Sequence, residues 1–189
     1  MIEKYISIIW AIIKNPYEYF YLEMPKDDSV KEPLIFAIVI LTISTTAYIL
    51  TLTPFLSAAE IAAVIAASLI LVPIIMFLYL YVSAFFVHGV IFMICPKRRN
   101  FKQTLKVLSY SNAANILTII PFIGPFAAAI FNIRAWVFGL SAVHNVSALK
   151  IFMLFVIIPI ILIAAFGILI ATLFGAMILS VLYTILPSV

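Results

Sequence analysis

From Ile61 to Ile94 the chain carries no Asp, Glu, Lys or Arg. With Glu60 in front, this run is about 35 residues long. A bilayer needs roughly 20 apolar residues per crossing, so the run is too long for one perpendicular span and tight for two. No turn residues interrupt it, which favours one long helix, tilted or broken, over a hairpin, with Pro73 expected to kink it. Its beginning is rich in alanine (Ala58, Ala59, Ala62, Ala63, Ala66, Ala67), and small side chains let helices approach closely in a membrane.

The rest of the chain has the same character. Of 189 residues, 67% are hydrophobic and 10% charged, with mean hydropathy +1.30. A soluble domain of this size cannot bury so much apolar surface. Unbroken apolar runs also exclude the alternation of a membrane barrel. The expected fold is all-α: a polytopic transmembrane helical bundle of about five spans, at residues 33–53, 60–94, 104–120, 126–143 and 150–186. Residues 1–32 precede it as an interfacial helix and a polar cytoplasmic segment. In that helix Tyr5 and Trp10 are expected at headgroup depth, although a packed cap on the bundle fits equally. No small-residue cleavage site follows it, so it is not read as a signal peptide. Tyr17, Tyr19, Phe20 and Tyr21 are expected to form an interfacial belt. Pro159 should kink the last span.

Charge placement sets the orientation. No carboxylate side chain follows Glu60, whereas Lys97, Arg98, Arg99, Lys102, Lys106, Arg134 and Lys150 all do. The loops around residues 54–57 and 121–125 hold no Lys or Arg. By the positive-inside rule the N-terminus is cytoplasmic and the C-terminus outside. Lys97, Arg98, Arg99, Lys102 and Lys106 are a topology signal that also suits anionic lipid headgroups. The lone Cys95 excludes an internal disulfide.

Few residues offer chemistry. Arg134 and Asn115 each lie nine or ten residues from Gly124, so an antiparallel hairpin places both roughly 14 Å from the turn, near mid-bilayer. Asn112 shares a face with Asn115, and Asn132 is close to Arg134 in sequence. A guanidinium in hydrocarbon must find partners. It is either a structural pin satisfied by Asn112 and Asn115 or an anion or headgroup site; Glu60 is the one acid near a membrane run, and asparagine amides, backbone carbonyls or a lipid phosphate are the other candidate partners. His88 and His144 stand far apart in sequence without acid or Cys neighbours at ligand spacing, so no metal is expected. The spans hold none of the common hydrolase or metalloprotease signatures. Neither an enzyme nor a cofactor is expected. Gly167, Ala171 and Gly175 recur every four residues as a ridge for helix packing.

The order of several short motifs resembles the Yip domain family, the Ypt/Rab-GTPase-interacting multispan membrane proteins. These are Asn15-Pro16-Tyr17-Glu18-Tyr19-Phe20, Glu32-Pro33-Leu34-Ile35-Phe36-Ala37, Leu108-Ser109-Tyr110-Ser111, Ile120-Pro121-Phe122-Ile123-Gly124, Trp136 and Gly139-Leu140-Ser141. The resemblance covers nearly the whole chain and implies five spans with a cytoplasmic N-terminus. Eukaryotic relatives are linked to Rab GTPases and vesicle traffic. Here their Asp-Leu-x-Gly-Pro is reduced to Glu32-Pro33-Leu34, and their Gly-Tyr-x-x-x-Pro becomes Ser109-Tyr110 with Ala114. Those departures count against a Rab-type GTPase partner and imply a prokaryotic-type member. The functional expectation is a non-enzymatic scaffold or partner-binding protein of the cell membrane, or of internal membranes in a eukaryote. Its partners would be the bilayer, anionic headgroups, itself or another membrane protein, and not nucleic acid. The alternative is a small transporter, channel or lipid-moving protein working at Arg134 and Asn115.

Overall fold

The computed structural model describes residues 2–25, 27, 29–52, 56–95 and 100–185, except the side chains of Leu52, Leu169 and residues 176–185. Among them the regular structure is entirely helical. Two units form, Met1–Ala148 and Leu149–Val189.

In the first unit, α1 (Ile2–Lys14) stops where Asn15-Pro16 follows. Asn15 caps α2 (Pro16–Glu18): its side chain accepts from the Glu18 N–H and donates to the Glu18 carboxylate at 2.8 Å. Proline suits this first-turn position, where its missing N–H would be unpaired anyway. A π turn, Tyr19–Glu23, continues α2. Then come α3 (Lys31–Leu52) and α4 (Ala58–Ile94), the second running 37 residues without a break through Pro73. Next is α5 (Phe101–Ser111), which tightens into a 3₁₀ segment, Asn112–Ile119. The unit closes with α6 (Ile123–His144). Helix α3 packs on α4, on α5 and on the 3₁₀ segment, while α6 packs on α5, the 3₁₀ segment and the α2 region.

The second unit begins one residue into α7 (Ala148–Phe152) and continues through a π turn (Met153–Ile157) and α8 (Ile158–Ile185). The widened turn lies just before Pro159, where the ring removes a backbone donor; a π turn is one way a helix absorbs such a defect.

Among the described residues four helices can, by length and composition, cross a membrane: Lys31–Thr51, Ala58–Ile94, Ile123–His144 and Ala148–Gly175. The span expected at residues 104–120 is instead part α-helix and part 3₁₀, split at Ser111.

The turn at 120–124 is tight. The Pro121 carbonyl accepts from the Ile123 N–H at 2.7 Å across Phe122, whose φ of 64° and ψ of −58° mark the rare, strained form of γ-turn. Gly124 then passes so close to the preceding helix that an added Cβ would lie 2.1 Å from the Leu117 carbonyl oxygen.

The core of this unit is aromatic. Phe36 and Tyr110 are fully buried with centroids 5.3 Å apart; Tyr5 meets Phe36 edge-on and Tyr19 meets Tyr110. The expected interfacial belt therefore divides. Tyr17 and Tyr21 are exposed and stacked at 5.7 Å, but Tyr19 and Phe20 point inward, because the π turn rotates them onto α6. Gly139 makes room for Phe20: a Cβ there would lie 2.8 Å from the ring and 2.7 Å from Val107 Cγ1. Trp10 is exposed, whereas Tyr5 is tied into the core.

Candidate functional site

The three asparagines join in a chain with a fixed direction. Asn112 Nδ2 donates to the Leu108 carbonyl at 2.7 Å. A backbone carbonyl can only accept, so Asn112 Oδ1 must face the other way. It accepts from Asn115 Nδ2 at 2.8 Å, and Asn115 Oδ1 accepts from Asn132 Nδ2 at 2.9 Å. The chain ends at Asn132 Oδ1, which is buried and meets no donor among the described residues. Ser111 Oγ, on a side chain 5% exposed, is likewise unpartnered.

These groups line a cavity of about 660 Å³ between α3, α4, α6 and the rod of α5 with its 3₁₀ extension. The remaining wall is mainly apolar: Leu41, Met76, Leu80, Val87, Leu108 and Trp136 among others, with no charged residue among the described ones. The 3₁₀ segment matters here, since its three-residue repeat puts Asn112 and Asn115 one above the other.

Arg134 does not join the amides. Its guanidinium donates to the carbonyls of Ile13 at 3.0 Å and Lys14 at 3.2 Å, the last of α1, and the residue is exposed. Asn132 and Arg134 are two residues apart on a helix, about 200° around its axis, so they face different neighbours. Equal distance from the turn says nothing of the direction in which Arg134 and Asn115 point. Glu60 is occupied elsewhere as well. With Ser57 it forms a capping box on α4: its carboxylate accepts from the Ser57 backbone N–H at 2.8 Å and hydroxyl at 2.7 Å. It is no counter-charge to Arg134.

Lys106 is a second correction. Rather than facing lipid headgroups it is 1% exposed, and its ammonium donates to the Pro25 carbonyl at 2.8 Å and to the Asp27 carbonyl and carboxylate at 2.6 Å. Gln103 Nε2 adds a bond to the Asp27 carbonyl. An ammonium withdrawn from water needs such partners, and the effect is to pin the polar segment onto α5. Lys102 lies exposed near the start of α5; Lys97, Arg98 and Arg99 lie outside the described residues. In the second unit Gly167 and Ala171 are exposed, and a Cβ added at Gly167 or Gly175 would meet no atom.

One cluster escaped the sequence reading. His88 Nδ1 lies 2.8 Å from Thr104 Oγ1, and that oxygen lies 2.9 Å from His144 Nε2. Thr104 and His144 are fully buried, and Cys95 Sγ donates to the His144 carbonyl at 3.4 Å. The two histidines are thus brought within 6.0 Å, ring to ring. One hydroxyl ties α4, α5 and α6. Spacings of 16 and 40 residues carry no local signal, so only the packing reveals it. Among the described residues no group of three or more His, Cys, Asp or Glu could hold a metal ion.

Comparison with known proteins places this architecture. No curated protein and no solved structure matches the chain. A model of the Yip1 domain matches residues 10–171, from the end of α1 into α8. That match spans the aromatic turn, the asparagine-lined cavity and the Gly124 hairpin, and the chain therefore belongs to the Yip1 domain family of multi-pass membrane proteins.

Proposed function

We propose that the chain is a non-enzymatic membrane organiser that packs against a second copy of itself or against other membrane proteins. The observation that carries this reading is α4. At 37 residues it is about 55 Å long, against a hydrocarbon core of about 30 Å. Its first turns are exposed on all sides from Ala58 to Ala67, apart from a half-buried Val64. An alanine-rich rod projecting from a bundle lets a further helix come close. The charged side chains support the same reading: Lys106, Arg134 and Glu60 are engaged with backbone groups, as in a framework. Crosslinking through a cysteine placed at Ala63, in native membranes, is expected to give dimers or defined adducts. Recovery of monomer alone defeats the proposal.

The orientation proposed with it has the N-terminus and the Lys102 loop in the cytoplasm. Helix α5 and its 3₁₀ extension together reach about 32 Å, because a 3₁₀ turn rises faster per residue. That is enough for a fifth crossing. In a Cys95→Ala background, Ser188→Cys is expected to react with an impermeant thiol reagent from outside; reaction from the cytoplasm overturns five crossings.

A further inference from the structure

We propose that the asparagine-lined cavity is a binding site for an uncharged, long-chain amphiphile whose polar end donates hydrogen bonds, such as a monoacylglycerol. The proposal goes beyond the organiser reading and does not depend on it.

Three observations lead there. The amide chain is anchored at the Leu108 carbonyl, so its direction is forced and its free end, Asn132 Oδ1, is an acceptor. A buried acceptor without a donor is costly, and the missing group is an N–H or O–H. Ser111, 5% exposed, lines the same cavity, and its Oγ is also unpartnered among the described residues; a hydroxyl both gives and takes a hydrogen bond. A glycerol or alcohol head answers both atoms.

The walls decide the remainder of the ligand. Beyond the amides the cavity is lined by Leu41, Met76, Leu80, Phe86 and Val87. Its volume, about 660 Å³, lies within the roughly 300–1,000 Å³ typical of small-molecule sites. Tyr79 and Phe86 line the cavity and are also exposed on α4, a candidate membrane span. The opening thus lies where the acyl chains of a bilayer would be. Among the described residues no charged side chain lines the site, and Arg134 is committed to the end of α1. A carboxylate or phosphate would enter without a counter-charge. The geometry therefore selects against acidic lipids as well as for donors.

The test uses the full chain in phosphatidylcholine nanodiscs, labelled with a monoacylglycerol carrying a diazirine on its acyl chain. Crosslinks are expected at the cavity-lining α4 residues Met76, Leu80, Ser83 and Val87 and at Trp136. Unlabelled monooleoylglycerol should compete at least tenfold more effectively than methyl oleate, which cannot donate, or oleate, which is charged. Asn132→Leu should erase that preference. Ser111→Ala removes a single oxygen, should fold in any case, and should weaken competition by monooleoylglycerol several-fold while leaving methyl oleate unchanged. Equal competition by the three compounds overturns the proposal, as does a preference for oleate. So does labelling confined to outward α4 residues such as Ile70 and Phe85, which would leave the cavity to water or to a protein segment.

Discussion

Gly124 is the position where the smallest change should do the most damage. A methyl group there would sit 2.1 Å from the Leu117 carbonyl oxygen and 3.0 Å from its carbon. The obstacle is backbone, so no rotamer change relieves it. That carbonyl also accepts from the Ile120 N–H at 3.0 Å, and Gly124 donates to the Ile120 carbonyl at 3.0 Å. Moving Leu117 aside therefore strains the bonds that close the hairpin. Overpacking costs about 1–3 kcal/mol, and a lost hydrogen bond about 0.5–1.5 kcal/mol net. Gly124→Ala should then destabilise the first unit by about 2–4 kcal/mol. The assay is unfolding in mixed micelles with increasing SDS, followed by tryptophan fluorescence. Two controls bracket it. Gly175→Ala adds a Cβ that meets no atom and should change little. Phe122→Gly relieves the positive φ of 64° and should lie within about 1 kcal/mol of the parent, on the stabilising side, because glycine adopts that conformation without steric cost. A Gly124→Ala protein as stable as Gly175→Ala would refute the close approach and the hairpin built on it.

Other perturbations follow from the same contacts. Gly139→Ala forces a Cβ against Val107 and the Phe20 ring and should cost about 1–3 kcal/mol; Val107→Ala in the same chain should restore part of that in the SDS titration. Lys106→Met removes three hydrogen bonds to residues 25 and 27. It should cost about 1–3 kcal/mol and speed proteolysis near residue 27, whereas Asp27→Asn, at a side chain 61% exposed that still accepts, should cost under about 1 kcal/mol. Arg134→Met frees the last carbonyls of α1 and should raise amide exchange there at a cost of about 0.3–1 kcal/mol; unchanged exchange would mean the cap is idle. Burial, and after it the charge of Tyr110, push the Tyr19 phenol above its ordinary value of 10.0. The folded state keeps the proton more tightly than the unfolded chain, so this contribution is intact below about pH 10 and is lost as pH rises past it. The SDS midpoint should fall between pH 9 and pH 11.5, and less steeply in Tyr19→Phe.

The apolar runs by themselves determined that this is a helical, multi-pass protein, since only helices and closed barrels satisfy backbone polar groups in hydrocarbon and unbroken runs lack a barrel's alternation. Local signals also placed one long helix rather than a hairpin over residues 60–94 and the tight turn at Gly124, although α4 runs on through Pro73 without the break that was one of the two forms expected of it. What failed was whatever depended on direction. Depth along a helix can be counted from a turn, but which neighbour a side chain meets depends on its azimuth and on which helices pack beside it. Arg134 was counted to the level of Asn115 and yet turns to α1, while Asn132, two residues earlier, completes the amide chain. Lys106 looked like one more basic loop residue; only the fold of residues 25–27 back onto α5 made it a buried tie. His88, Thr104 and His144 carry no mutual signal in a linear chain and were joined solely by packing three helices together. The 3₁₀ change at Asn112, which stacks two amides on one wall of the cavity, is likewise a product of tertiary context, because short polar side chains bond to backbone where the surrounding helices exclude water.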